Sequence, residues 1–336
     1  MNGGSLLQRL SNGPARVCGL VAGGLGLVVA LTAAVPPSGA QHGAAPPHNR
    51  STALGNFLTS VSAVSASDAW AVGNAPGLAL HWNGTRWVRT GVPHPSVLNG
   101  VSALSASDAW AVGARGLVRT TTLALHWNGT AWTRAPTPSP GKFADLTSVS
   151  AASPADAWAV GVMPTLALRW NGTAWTQAVL PHLAGSFLLG VSTLSPSDAW
   201  AVGGITAGNT TKTLALHWNG TAWAQVPTPS PGRPPLNDTL SGVSVLSPSD
   251  AWAVGASGHG HTPFSPQRTL VLHWNGSHWT QVPAPSPRGT GTSPFTILTS
   301  VSARTPSDAW AVGCACTNDA DTSLVLHWNG TAWARS

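Results

Sequence analysis

One pattern recurs six times between Leu58 and the end of the 336-residue chain. Each copy reads L-x-x-V-S, then Ser or Thr, then Asp-Ala-Trp-Ala-Val-Gly, a gap, and L-[AV]-L-[HR]-W-N-G-[TS]-x-W. The motif aspartates are Asp68, Asp108, Asp156, Asp198, Asp250 and Asp308, spaced by 40, 48, 42, 52 and 58 residues. All 18 tryptophans belong to the pattern, three per copy, from Trp70, Trp82 and Trp87 to Trp310, Trp328 and Trp333. A period of this size means stacked units, none of which can bury its apolar surface alone.

Within a copy the residues read as four short strands. Small and β-branched residues alternate through Leu58–Val64 and Ala69–Gly73, with Ser65-Ala66-Ser67-Asp68 as the turn between them. The motif Asp suits that turn, because its carboxylate can accept backbone N–H groups nearby. A third strand, Leu78–Trp82, runs into Asn83-Gly84, which predicts a two-residue type I′ hairpin. That closure pairs Trp82 with Thr85 and Leu80 with Trp87, and sets Leu80, Trp82 and Trp87 on the face opposite His81. Four strands per unit, six units and no 3.6-residue apolar period predict an all-β, six-bladed β-propeller over residues 58–336. The S-x-x-D-x-W-A-V-G and H-W-N-G-T-x-W motifs resemble the tandem propeller repeats of secreted bacterial proteins. They are similar also to the kelch and Asp-box propellers, a likeness that covers residues 58–336 and implies fold far more than function.

Residues 1–57 stand apart. Arg9 and Arg16 precede an apolar stretch from Val17 to Val35, then Pro36-Pro37-Ser38-Gly39-Ala40. This is the layout of a signal peptide cleaved after Ala40, an uncleaved membrane anchor being the alternative. Residues 41–57 read as a Pro/Ala/Gly linker. Either way the chain is expected to be secreted or displayed at the cell surface. Removing Arg9 and Arg16 leaves 14 basic against 10 acidic residues, and only two of the bases are Lys. That is no nucleic-acid footprint.

Composition closes several routes to catalysis. All ten acids are Asp, and the chain has neither Glu nor Tyr. Glycosidases built on a Glu, and the sialidases and galactose oxidase that need a catalytic Tyr, are therefore excluded. Tryptophans fixed in every unit's strands read as core between blades rather than as a sugar platform. The motif histidines His81, His126, His217, His273 and His327 give way to Arg169 in the third copy, which suits a contact between blades better than metal ligation. The six Asn-Gly-Thr/Ser triplets match a glycosylation sequon, yet turn chemistry accounts for them.

Loop lengths carry the functional signal. The second and third Trp of every copy are five residues apart, and the motif Asp always precedes the first Trp by two. First to second Trp varies as 12, 17, 12, 18, 22 and 18, and third Trp to the next Leu as 11, 14, 13, 17 and 19. In a meander these variable connections share one end of the blades, so one end is uniform and the other is the expected binding face. Candidate binding residues there are Arg115, Arg119, Lys212, His259, His261, Phe264, Arg268, Asp319 and Asp321. Lys142, Arg233 and Arg288 add further positive charge. His259-Gly260-His261 lacks a third metal ligand, so no metal and no cofactor is expected. Cys314 and Cys316 suit a local disulfide in an exported chain, with a free thiol pair or a metal site with Asp319 and Asp321 as alternatives.

The leading expectation is a non-enzymatic binding or scaffold module for carbohydrate or protein partners, with a bias toward anionic ones and with no nucleic-acid partner. A polysaccharide lyase or hydrolase using loop or channel His, Arg and Asp is the alternative, and a purely structural surface protein the third. Asp145, Asp238, Asp319 and Asp321 are the acids outside the repeat turns that could serve such an enzyme. A monomer is expected, its ring closed by packing between the first and sixth blades. Arg304 stands in that seam where Val64, Leu104, Leu194 and Leu246 stand in other copies.

Overall fold

The computed structural model describes residues 57–74, 77–93, 96–116, 118–260, 267–287, 295–316 and 321–336, with only the backbone at Cys316 and Asp321. The segment read as a signal peptide and nearly all of the expected linker lie outside the described residues. Among these, all regular structure is β-strand. The first repeat unit comprises β1 (Leu58–Ser65), β2 (Asp68–Gly73), β3 (Leu78–Trp82) and β4 (Trp87–Thr90), hydrogen-bonded in that order as an antiparallel meander. The same four-stranded order recurs along the chain, each unit opening on a strand equivalent to β1: Ser96–Ser105, Asp145–Ser153, Ser186–Ser195, Thr239–Ser247 and Phe295–Thr305. The last two units join into one eight-stranded sheet through a parallel pairing of Gln267 with Phe295.

The opening strands pack side by side from unit to unit, and each first strand is bulged at two points against the second. The bulge explains the invariant glycine of Asp-Ala-Trp-Ala-Val-Gly. A Cβ on Gly113 would collide with the Val97 carbonyl oxygen of the neighbouring strand. Asn83-Gly84 does make a turn, but a longer one than the sequence predicts. Trp82 pairs with Trp87 and Leu80 with Arg89, so the loop has four residues, not two. Asn83 Oδ1 takes the N–H groups of Thr85 (3.1 Å) and Arg86 (3.0 Å) and the Thr85 hydroxyl (2.8 Å). An Asx turn thus replaces the type I′ hairpin, with Gly84 at φ 89°. The alternation survives the longer loop, and His81 stands on the face opposite Trp82.

Between units the tryptophans interlock. Trp70 is fully buried, its ring 4.8 Å from that of Trp127 and 4.9 Å, edge-on, from that of Trp132 in the next unit. His81 stacks on its own unit's side at 4.3 Å. The same trio forms around Trp110, Trp158, Trp200 and Trp252. A polar latch accompanies each contact: Ser62 Oγ accepts the Ala103 N–H at 3.0 Å, and Ser102, Ser150, Ser192 and Ser244 do likewise to the unit that follows them. Five apolar clusters result, each shared by two consecutive units.

Among the described residues a sixth interface of this kind is not found. Among the described residues no apolar cluster, aromatic pair or serine latch joins the last unit to the first. The predicted closure by packing between those units is not seen. Arg304 is 78% exposed at its side chain and lies 3.9 Å from Asp308 of its own unit.

Candidate functional site at the variable-loop end

Every connection of constant length lies at one end of the units, and there the polar side chains are consumed by structure. The motif aspartates do not cap the turn as the sequence suggests. Ser65 does so, its Oγ accepting the Ser67 N–H, while Asp68 reaches across to His81 Nε2 at 2.7 Å. The pairing repeats at Asp108–His126, Asp198–His217, Asp250–His273 and Asp308–His327, between 2.9 and 3.0 Å. In the third unit Arg169 Nε donates to Asp156 at 3.0 Å, and its guanidinium continues to the Pro196 carbonyl of the next unit and over the Trp158 and Trp218 rings. A donor has replaced a donor. That substitution was the one sequence clue to the pairing. The second Trp of each unit locks the same end, as Trp82 Nε1 does by donating to the Ala66 carbonyl at 3.0 Å. Among the described residues no group of three or more His, Cys or Asp could hold a metal ion.

The opposite end carries the variable loops and the predicted binding residues, spread over several units. Arg115 closes a strand of the second unit with its Nε on Thr121 Oγ1 (3.3 Å), and Arg119 follows in an exposed bend. Lys212 is exposed in the fourth unit, Arg268 in the fifth, and His259 of the fifth unit lies 3.3 Å from the Arg233 carbonyl. No hydrogen bond or ion pair joins any two of these five. His261, Phe264 and Asp319 lie outside the described residues, as do the side chains of Asp321 and Cys316, whose backbones pair across two strands. Cys314 is nearly buried and disulfide-bonded.

Three features of this end were not singled out as binding positions. Asn99 Nδ2 of the second unit donates to Asp145 Oδ1 and to the Leu146 carbonyl of the third, both at 2.8 Å. Burial pushes the Asp145 carboxyl up to about 6, against the pull of its hydrogen bonds with the Asn99 side chain and the Leu146 backbone. Asp238 is wholly buried and accepts the N–H groups of Gly232 (2.9 Å) and Gly258 (3.0 Å), which ties two loops together. The third feature is a depression of about 740 Å³ lined by Pro164, Thr165, Val179, Leu180, His182 and Ser186 among others. Val179 is 89% exposed there. Asp145 pairs through its backbone with Val162, two residues before Pro164, but its carboxyl turns to Asn99 of the second unit and does not line the depression. The only sequence clue was that Asp145 and Asp238 are acids outside the repeat.

No protein-family model and no curated protein matches the chain. Solved structures do. The chain is similar to "YCF48 bound to D1 peptide" at 17% identity and TM-score 0.52, over 83% of this chain and 80% of that one. It is similar to the GH74 xyloglucanase of Xanthomonas campestris at 16% identity and TM-score 0.58, over 84% of this chain but only 45% of the xyloglucanase. A streptogramin B lyase matches at 11% identity and TM-score 0.55, over 83% of this chain and 92% of the lyase. At these identities the likeness concerns fold alone: the chain is a tandem-repeat β-propeller.

Proposed function

We propose that this is an exported, six-bladed propeller that works as a binding or scaffold module, engaging a carbohydrate or a protein surface through its variable-loop end. The depression beside Val179 carries this reading. It is concave and mixes apolar walls with the hydroxyls of Thr165 and Ser186, and no carboxylate lines it. The motif Asp, His and Asn side chains of the uniform end are already paired within the fold, which turns attention to the variable end. Arg119, Lys212 and Arg268 bias that face toward anionic partners. A structural neighbour that holds a peptide supports a protein ligand and one named a xyloglucanase supports a polysaccharide, each as an analogy of fold. Glycan-array and cell-wall pull-down assays with the protein and with Val179→Asp test the reading. Binding that Val179→Asp weakens is expected; no binding, or binding indifferent to the substitution, rejects it.

The Asp145 carboxyl supports a second reading. An acid lifted to about 6 is suited to proton transfer near neutrality, as a polysaccharide hydrolase or lyase requires. Turnover of a polysaccharide that disappears in Asp145→Asn would put this reading first. Asp319→Asn and Asp321→Asn are the companion variants for the sixth-unit loop. The pairing of Cys314 with Cys316 is likewise proposed, and intact-mass measurement without reductant should find the two residues together two hydrogens lighter than free thiols.

A further inference from the structure

Among the described residues two faces of the repeat array have no partner, and they are complementary to each other. Leu98, Val101, Leu125 and Trp132 of the second unit are buried against the first, Trp132 being 4% exposed. Their counterparts in the first unit are Leu58, Val61 and Leu80, all only partly buried, and Trp87, which is 40% exposed. At the other extreme, Trp252, Val254 and Val271 of the fifth unit are buried at 0–1% exposure. The matching Trp310, Val312 and Val325 of the last unit are only partly buried, and the Trp310 ring meets His327 of its own unit and no other aromatic ring. Ser302, the counterpart of the five latching serines, holds no N–H of another unit among the described residues.

These are the two halves of an interface that the chain already builds five times. The forward face of each inner unit receives the Leu, Val and Trp of the next, and the last unit presents that forward face intact. The first unit presents the receiving side's usual occupant. Both are apolar, and among the described residues they do not meet within one chain. We propose that they meet between chains: the sixth unit of one copy docks the first unit of a second copy, head to tail, through Trp310, Val312 and Val325 against Leu58, Leu80 and Trp87. Ser302 then accepts the Ala63 N–H of the second copy, as Ser62 accepts that of Ala103. Such a contact is heterologous, so it ends in a closed ring of copies or continues as a chain of them, according to the rotation between neighbours.

Sedimentation of the protein from sub-micromolar to hundreds of micromolar tests this without any substitution. The mass should rise with concentration; a single copy at every concentration overturns the proposal, whether the chain closes on itself or other residues of the chain cover the faces. Two exposed-face variants then separate head-to-tail contact from any other. Trp87→Arg blocks only the head and Val325→Arg only the tail, and each alone should lose at least about tenfold in self-affinity. Mixed in equal amounts they should recover a one-to-one pair, since one supplies the free tail and the other the free head. Self-association by either variant equal to that of the parent, or a mixture of folded variants that stays monomeric, rejects the arrangement.

Discussion

The two ends of each unit are built from the same strands and behave as different materials. At the uniform end each motif Asp has a fixed partner one strand away, and the lengths of the connections never change. At the variable end the same strands hold loops of differing length, and their charged residues are spread over several units. The difference teaches that the repeat constrains only what must fit a neighbour. Where a unit contacts solvent rather than another unit, sequence is free to drift, and that freedom is where a ligand site can arise.

Substitutions can sharpen or break this contrast. The largest effect belongs to Trp110→Ala, since the indole is buried between units and meets Trp170 and Trp175. Its loss should cost about 3–5 kcal/mol and be visible as a large fall in Tm. A Tm like that of the parent would undo the assignment of the interface. Next comes Asp145. Its carboxyl is raised from 3.8 to about 6, so the folded state favours the protonated form. The stabilisation is complete below about pH 4 and is lost as pH rises through about 6, amounting to roughly 3 kcal/mol at most. Asp145→Asn should flatten that slope; denaturant titrations of both proteins at pH 4 and pH 7 would show it, and parallel slopes would contradict it.

Within the uniform end, Asp156→Ala should exceed Asp108→Ala, at about 2 against about 1 kcal/mol. The first strands the half-buried Arg169 guanidinium, whose charge then lacks its carboxylate, and the second removes one hydrogen-bond partner of the His126 ring. Equal midpoints in urea would mean the aspartates act through the turn rather than the pair. Smallest of all is Arg119→Ala at the variable end, an exposed position where a change within about 0.5 kcal/mol is expected. A larger loss of stability there would show that the loop belongs to the framework.

The sequence made the strands and their pairing order legible because alternation and turn residues repeat in every copy. It misjudged the Asn83-Gly84 turn, since Asn-Gly fits two loop lengths and only the Oδ1 contacts to Thr85 and Arg86 decide between them. It assigned Asp68 to the nearest turn, because proximity in sequence hides a partner 13 residues away. The basic residues of the loops were visible as charge but not as a site, because their relative positions depend on rotations between units that no residue encodes alone. For the same reason six identical motifs could not say whether the last unit meets the first.

The absence of tyrosine has a consequence for observing this protein. Its near-ultraviolet emission comes from tryptophan alone, and of the 18 indoles only Trp87 is exposed. Seventeen emitters are wholly or partly shielded from an aqueous quencher, while one sits in the open on the first unit. Quenching by acrylamide therefore has a small, separable fast component that belongs to a single known position. Anything that covers the first unit's open face extinguishes that component and leaves the rest of the spectrum in place, so the chain carries its own optical gauge.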